Sequence, residues 1–579
     1  MSTLRRSISF HLAVVSLSSL FSCSGTVPPP QPSVASVPSP RAVKPPPRVQ
    51  PIAETCTGTY PSYWQDPKFP DMWAGQRISN VPPQDWGGPV FKLSDKLPRE
   101  AQDDSGAQAW RDPKYDALFA EASPLAERTS LASEYIWALM HYIQEGNIDS
   151  GDVATDWTLC NNKIRNWYHI PFQTYDTLTG REFVHGLTRE APVTFSMRTA
   201  ANGAKAKSTL IKSTVWAVAF YNPSAAYTLG KVWQADGSAK PPADHLAFDD
   251  GAVIGKLLFT TVAPKDMPFL NNVPQWRANI SDPAYCSCAA PAGQKCSMAD
   301  ESKACPRSFK DKTGDRLVSL MQFDVAVKDS RAPTTQWVYG TFVADGERKA
   351  AEANAWNRIA PLGLMWGNDR PATDGLAAKT PADPRSNGFK NEIIFWDTVD
   401  MLNAAGGDDI HKQPGHLGCN SRLNGPADNA SSACMSCHMT ASVPDKNLTT
   451  PPAIAQFDKT LTPQCVTPDP KQPAIGKDGG GSAASVKKAI TFAQIDSLYF
   501  GDLAGAAPIK MEVETAKGPV AVLAPGVPTY ADEHAGWISL DFSLQLAISL
   551  TQWGEWLQDR DAGAAAKARP KFGARLPAR

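Results

Sequence analysis

Cys434-Met435-Ser436-Cys437-His438 reads CMSCH: two thiols three positions apart, followed at once by an imidazole. That spacing is the attachment signature for a c-type haem. Two thiols so placed can each add to one vinyl group of a single porphyrin. The next side chain, His438, then comes under the iron as proximal ligand. Two other chemistries use a C-x-x-C, a redox dithiol and half of a zinc site. A zinc site needs a second ligand pair at comparable spacing, and none follows; a dithiol has no need of the histidine. The motif occurs once, so the sequence predicts one covalent haem c, with Cys434, Cys437 and His438 as its attachment and iron-binding residues.

Haem of this kind belongs to exported chains, and the N-terminus reads as an export signal. Arg5 and Arg6 form a short positive region, and residues 7–21 are an apolar run too short for a membrane span. Leu20-Phe21-Ser22-Cys23 resembles the bacterial lipobox, in which the cysteine is lipidated and becomes the first residue. Phe21 is bulky for its place in that pattern, so cleavage by an ordinary signal peptidase stays open. Residues 26–51 are rich in Pro, Ser and Val, a composition that favours extended polyproline structure over a core. The expectation is a periplasmic protein held to the membrane through a lipid on Cys23, with 23–55 as the tether.

The full chain has 579 residues, net charge −1 and 42% hydrophobic content. That suits a globular body with room for two or three domains, and with no basic cluster it argues against nucleic acid as partner. The 50 prolines and 17 tryptophans suggest long, pinned loops rather than a compact helical bundle. Of 11 cysteines, one is the lipid site and two hold haem. Cys56, Cys160, Cys286, Cys288, Cys296, Cys305, Cys419 and Cys465 remain, an even number that points to disulfides in an oxidising compartment. The cluster Cys286, Cys288, Cys296 and Cys305 could also hold a metal, but no histidine lies near it, and two local disulfides are the favoured reading.

The elements that must position the motif come before it. Residues 113–145 carry Leu118, Phe119, Leu131, Tyr135, Ile136, Leu139 and Met140 close to a 3.6 period, predicting helix, with His141 on the same face as a structural histidine. Residues 155–190 hold Trp157, Trp167, His169 and His185 among turns, where aromatic packing is the simplest account. Strands follow at 213–221, 251–262, 316–327, 336–343 and 358–366, each bounded by Gly, Pro, Asn or Asp, with one short helix at 223–233. Few long crossovers favour an antiparallel sheet with one face on a core. Lys256 stands among apolar neighbours, sharing a face with Ile254 and Leu258. Pattern alone favours a snorkelling edge lysine over a polar group placed at a site. Ser431 or Ser432 would cap a helix that begins at the haem motif. Helical segments return at 485–499 and 539–558, the latter mixing periods of 2 and 3.6, and the tail from Asp561 reads as mobile.

The fold class expected is therefore α+β: an antiparallel β-sheet body with peripheral helices, long Pro/Gly-rich loops and a haem c site in the C-terminal half. The divisions are a signal peptide at 1–22, the tether at 23–55, a mixed region at 56–212, the β-rich domain at 213–370, the haem attachment region at 371–450, and a loop and helical region at 451–579.

A sheet ahead of a C-terminal haem motif resembles the cytochrome P460 and cytochrome c′-beta family. The resemblance rests on residues 217–228 (AVAFYNPSAAYT) and 248–256 (FDDGAVIGK) and covers about 215–345 plus the haem motif. It implies a five-coordinate or weakly six-coordinate haem packed on an antiparallel sheet and able to bind small ligands such as nitric oxide. In the P460 branch a lysine cross-linked to the porphyrin supports hydroxylamine oxidation, and Lys256 is the nearest match to that lysine, hence the candidate catalytic residue. Three functions follow. The first, which assumes least, is a membrane-tethered monohaem cytochrome passing electrons to a redox partner protein; Met511, His411, His416, Met401 and His534 are then candidates for the sixth iron position. The second is a P460-like haem enzyme or small-ligand binder with that position open. The third is a binding lipoprotein with structural or sensory haem. Whether the chain is an enzyme stays open at the level of sequence.

Overall fold

The computed structural model describes residues 96–153, 156–157, 162–172, 210–243, 246–279, 315–333, 335–348, 354–367, 384–405, 414–418, 421–428, 433–438, 441–444 and 537–564, Phe91 and Leu93, and short strands elsewhere. The signal and tether segments, Cys23, His185, His411, His534 and the eight cysteines expected in disulfides lie outside them, as does the side chain of Met511.

An eight-stranded antiparallel sheet dominates. Its strands are β1 (Thr188–Arg198), β2 (Leu210–Tyr221), β3 (Val253–Thr260), β4 (Gln275–Asn279), β5 (Asp315–Lys328), β6 (Trp337–Ala344), β7 (Ile359–Met365) and β8 (Glu392–Ile394). The order is β8-β7-β6-β5-β3-β2-β1, with β4 pairing to the first part of β5. Together with a few helices this is the expected α+β class. All five strands expected from the alternating runs form; β1, β4 and β8 were not legible in the pattern. Strands adjacent in sequence mostly pair side by side, although the connections from β2 to β3, β4 to β5 and β7 to β8 are long.

Both faces of the sheet are covered. On one face, Gly340 and Phe342 meet helix α1 (Leu125–Gln144), and Phe220 and Phe323 meet an aromatic cluster. The Trp157 ring lies 5.7 Å from that of Phe220 and 5.5 Å from that of Phe323. Trp137 of the helix meets Phe342 at 5.0 Å, and the Ile136 methyl closes directly over Gly340, where any Cβ would collide. Tyr135 donates to Asp329 at 2.8 Å, and Arg331 binds the same carboxylate at 2.7 Å, which fixes the helix at the end of β5. His141 is exposed beside Trp137 and belongs to no site.

Asn222 ties three elements together. Its side-chain oxygen accepts from Ala225 N–H, capping helix α2 (Pro223–Val232), and from Val253 N–H at the start of β3, both at 2.9 Å. Its amide donates to the Gly251 carbonyl at 3.0 Å. Gly251 has φ +87, so this turn needs a residue that enters the left-handed region freely. Asn222 and Gly251 are the turn residues that register β2 against β3.

Two expectations are corrected. The lysine strand β3 is interior, flanked by β2 and β5, so Lys256 is not an edge residue. The C-terminal helix starts later than residue 539: Trp537–Ser539 is a strand (β10) paired with Ser442–Pro444 (β9), and the helix runs Leu544–Ala564. The mixed period reflects two successive elements rather than one.

Ile136 is fully buried on the face away from the haem motif. Ile136→Ala should lower unfolding free energy by about 2–5 kcal/mol in urea titrations while leaving modification at Cys434 and Cys437 unchanged.

Candidate functional site

Cys434–His438 forms a single helical turn, α4. It follows Ala433 rather than Ser431 or Ser432, neither of which is among the described residues. One turn brings Cys434 and Cys437 to neighbouring positions, and neither is in a disulfide. The turn is held in place from both sides: the Cys434 N–H donates to the Leu423 carbonyl, and Leu423 N–H donates in turn to Glu392 on β8, both at 3.0 Å. Arg422, fully buried, stacks on Phe389 at 4.3 Å. Gly425 passes so close to Gln322 that a Cβ would overlap its side chain.

The turn lies on the second face of the sheet. Cys434 Sγ is 3.9 Å from Thr341 Oγ1, the Met435 N–H reaches Met365 Sδ at 3.3 Å, and the His438 ring packs on Tyr339 at 4.2 Å. Thr341 pairs directly with Asp324 on β5, and Asp324 with Lys256 on β3. Directly opposed residues in an antiparallel ladder share a face, so Lys256, Asp324 and Thr341 form one row across three strands. The candidate lysine and the candidate haem motif, 178 positions apart by number, therefore face one place. Ala219 and Gly363 extend the row on either side with minimal side chains.

The charges in this row are coupled. The Thr341 hydroxyl donates to Asp324 Oδ1 at 3.0 Å. The Gln322 amide bridges two carboxylates, donating to Asp324 Oδ1 and Asp428 Oδ2, each at 2.7 Å, while its oxygen accepts from Ala427 N–H at 2.9 Å. Burial, then the neighbouring Asp428 charge, pushes Asp324 up to about 8, against the opposing pull of the Lys256 ammonium. At neutral pH Asp324 thus holds a proton. Burial raises the Cys434 thiol well above its ordinary value, and Asp428 and Asp324 add to the effect. A redox dithiol needs the opposite shift, toward thiolate, so this environment does not suit one.

His438 is placed as a ligand must be. Its Nδ1 lies 2.8 Å from the carbonyl oxygen of Phe542. A carbonyl only accepts, so the bond puts the proton on Nδ1 and leaves Nε2 with its lone pair. Histidines that bind metals are oriented by this kind of contact. Burial, aided by the Lys256 charge, lowers His438 to about 4, so the ring is neutral across the physiological range. Two thiols on one turn beside an imidazole with a bare Nε2 fit a covalently attached haem. Among the described residues no group of three or more His, Cys, Asp or Glu converges as a direct metal site.

The sixth-position candidates are scattered. His416 is buried, 2% exposed, with its ring 6.0 Å from Phe269 and Nε2 without a hydrogen-bond partner. Met401 is half-buried on helix α3 (Trp396–Ala404). Met511 lies in the strand Lys510–Thr515. No described contact brings any of them to His438. Nothing in the residue pattern singled out Asp324 and Gln322 on β5 or Asp428 in the turn 425–428, since carboxylates and amides in strands and turns normally face water.

Comparison with protein families, curated proteins and solved structures found no match for this chain.

Raised carboxyls weaken a fold as pH climbs. The Asp324 contribution is fully present below the ordinary carboxylate range and is lost as pH rises to about 8, where the folded protein must ionise a buried group. Urea unfolding of the wild type between pH 5 and pH 8 should therefore lose stability that Asp324→Asn does not lose. Equal pH slopes in the two proteins would exclude the shift.

Proposed function

We propose that the protein is an exported, monohaem c-type cytochrome that works as a P460-like haem enzyme or small-ligand binder, with Cys434 and Cys437 carrying the haem and His438 as its iron ligand. Export and lipidation at Cys23 are part of the proposal. The observation that carries the haem reading is the His438 Nδ1–Phe542 carbonyl bond of 2.8 Å, which fixes the tautomer required of a ligand. No hydrolytic or nucleotide-binding residue pattern competes with it in the sequence.

The row of Lys256, Asp324 and Thr341 favours ligand chemistry over simple electron carriage. A carrier needs an enclosed iron and an apolar surround; a half-buried lysine–carboxyl row is a costly arrangement to keep beside one. When bound, haem supplies an iron that takes small ligands and exchanges electrons. The chain's own residues would supply the rest. Asp324 holds a proton on its carboxyl at neutral pH. Gln322 fixes Asp324 and Asp428 to one another, and Lys256 provides a cation that favours electron-rich ligands. That set suits a small nitrogen or oxygen compound whose turnover moves protons. The Asn222 cap, the Gly251 turn and the interior strand with Lys256 support the resemblance to the P460 and cytochrome c′-beta family; whether Lys256 bonds the porphyrin, as in the P460 branch, is part of what the test reads.

Electron transfer with a periplasmic partner is the second reading. It is favoured by the aromatic contacts that lead away from His438: Tyr339 at 4.2 Å, then Trp337 stacked on Tyr339 at 6.0 Å, then Phe248 at 5.4 Å.

Absorption spectra of the oxidised and reduced holoprotein, before and after carbon monoxide or nitric oxide, separate the readings. The expected outcome is a spectrum that shifts on gas addition, and a reduced band in Lys256→Ala that moves relative to wild type while covalent haem is retained. A low-spin spectrum indifferent to both gases would exclude the ligand-binding reading in favour of the carrier. Loss of covalent haem in Cys434→Ser and Cys437→Ser is the control for attachment.

A further inference from the structure

The Phe542 carbonyl that meets His438 is offered by an unusual turn. Asp541 and Phe542 have φ of +49 and +63, two successive non-glycine residues in the left-handed region. Side chains disfavour that region, and such a turn persists only where its surroundings hold it. What holds this one is Asp541. Its carboxylate, 8% exposed, binds Lys328 Nζ at 2.7 and 2.9 Å and accepts the Phe248 N–H at 2.8 Å. Lys328 is itself 7% exposed and lies at the end of β5, with its ammonium 5.5 Å from the Trp337 ring. Breaking such a pair leaves an uncompensated buried charge, so the clamp is stiff.

The same carbonyl has two further donors. Tyr339 O–H reaches Phe542 O at 3.0 Å, while its ring packs against His438, and the Leu544 N–H reaches the same oxygen at 3.1 Å. One oxygen is thus shared among three donors. The share of the carbonyl given to Nδ1–H sets how much negative character the imidazole takes, and so how strongly it donates to a metal through Nε2.

We infer that Lys328 and Asp541 are positioning residues that set the donor strength of His438, by clamping the Asp541–Phe542 turn so that its carbonyl is shared among Tyr339, Leu544 and His438. The inference rests on the haem reading proposed above. It adds that ligand strength is fixed by an ion pair that touches neither the histidine nor the motif.

The test uses the full-length holoprotein, loaded by an export and haem-maturation host. Covalent haem is first counted by intact mass. Tyr339→Phe and the paired change Asp541→Asn with Lys328→Met are then compared with wild type by reduction potential and by the iron–histidine stretching frequency of the reduced protein. Tyr339→Phe removes one competing donor and leaves a larger share of the carbonyl to His438, so the stretching frequency rises and the potential falls. The paired change frees the turn, so the frequency falls and the potential rises. Opposite shifts support the inference. Unchanged values, or shifts of the same sign, overturn it. Should the paired variant not fold, Tyr339→Phe decides alone, its lower potential and higher frequency supporting the inference and wild-type values sinking it. Wild-type protein without covalent haem overturns the haem reading itself, an outcome the mass measurement separates from the others.

Discussion

Side chains that face one another across an antiparallel ladder have no choice of neighbours, and that constraint governs this molecule. Once Asn222 and the Gly251 turn register β2 with β3, Lys256 must sit opposite Ala219 and Asp324, and Asp324 opposite Thr341. A slip of one residue would turn Lys256 and Asp324 into the tryptophan-rich core on the other face, where no partner could offset their charge. The apolar face beneath helix α1 and the polar row under the CMSCH turn are therefore two consequences of the same pairing. Hydrophobic burial of Phe220, Phe323 and Val325 fixes the register; the register then delivers the polar row.

Polar groups beneath the turn are held by one another. Gln322 spends both halves of its amide there, and Thr341 adds a hydroxyl. Protonation of Asp324 removes one of two adjacent negative charges, which is how a low-dielectric site accommodates two carboxyls. At the far end of β5 the solution is different: Lys328 and Asp541 form an ion pair. One strand thus carries a neutralised acid and a retained ion pair on the same face, four positions apart.

Much of the architecture could be read from the chain. Alternating runs such as 213–221 and 336–343 gave strands because β-branched and aromatic residues recur on both faces, and the short helix read at 223–233 forms at Pro223–Val232, where the structure adds Asn222 as its cap. Strand β8 was hidden because its three residues are too few to show alternation, and β4 because Pro274 and the polar residues around it look like a turn. Lys256 was singled out by its apolar neighbours, but its pattern suggested an edge, since sequence does not say which strands are interior. Within the site, the motif announced itself and its support did not. Phe542 contributes a backbone oxygen, which carries no residue signature, and Asp541 and Lys328 are 213 positions apart. Interactions made by main-chain atoms, or by side chains brought together only in the finished sheet, leave no spacing to recognise.

The CMSCH turn is followed by β9, which finds its partner β10 only after the chain has left at residue 444 and returned at 537. Phe542, which meets His438, follows β10 by three residues, so the contact that orients the imidazole and the closure of this small ladder depend on each other. A pairing of only three residues on each side therefore acts as a latch: whatever loosens it also releases the histidine from its carbonyl.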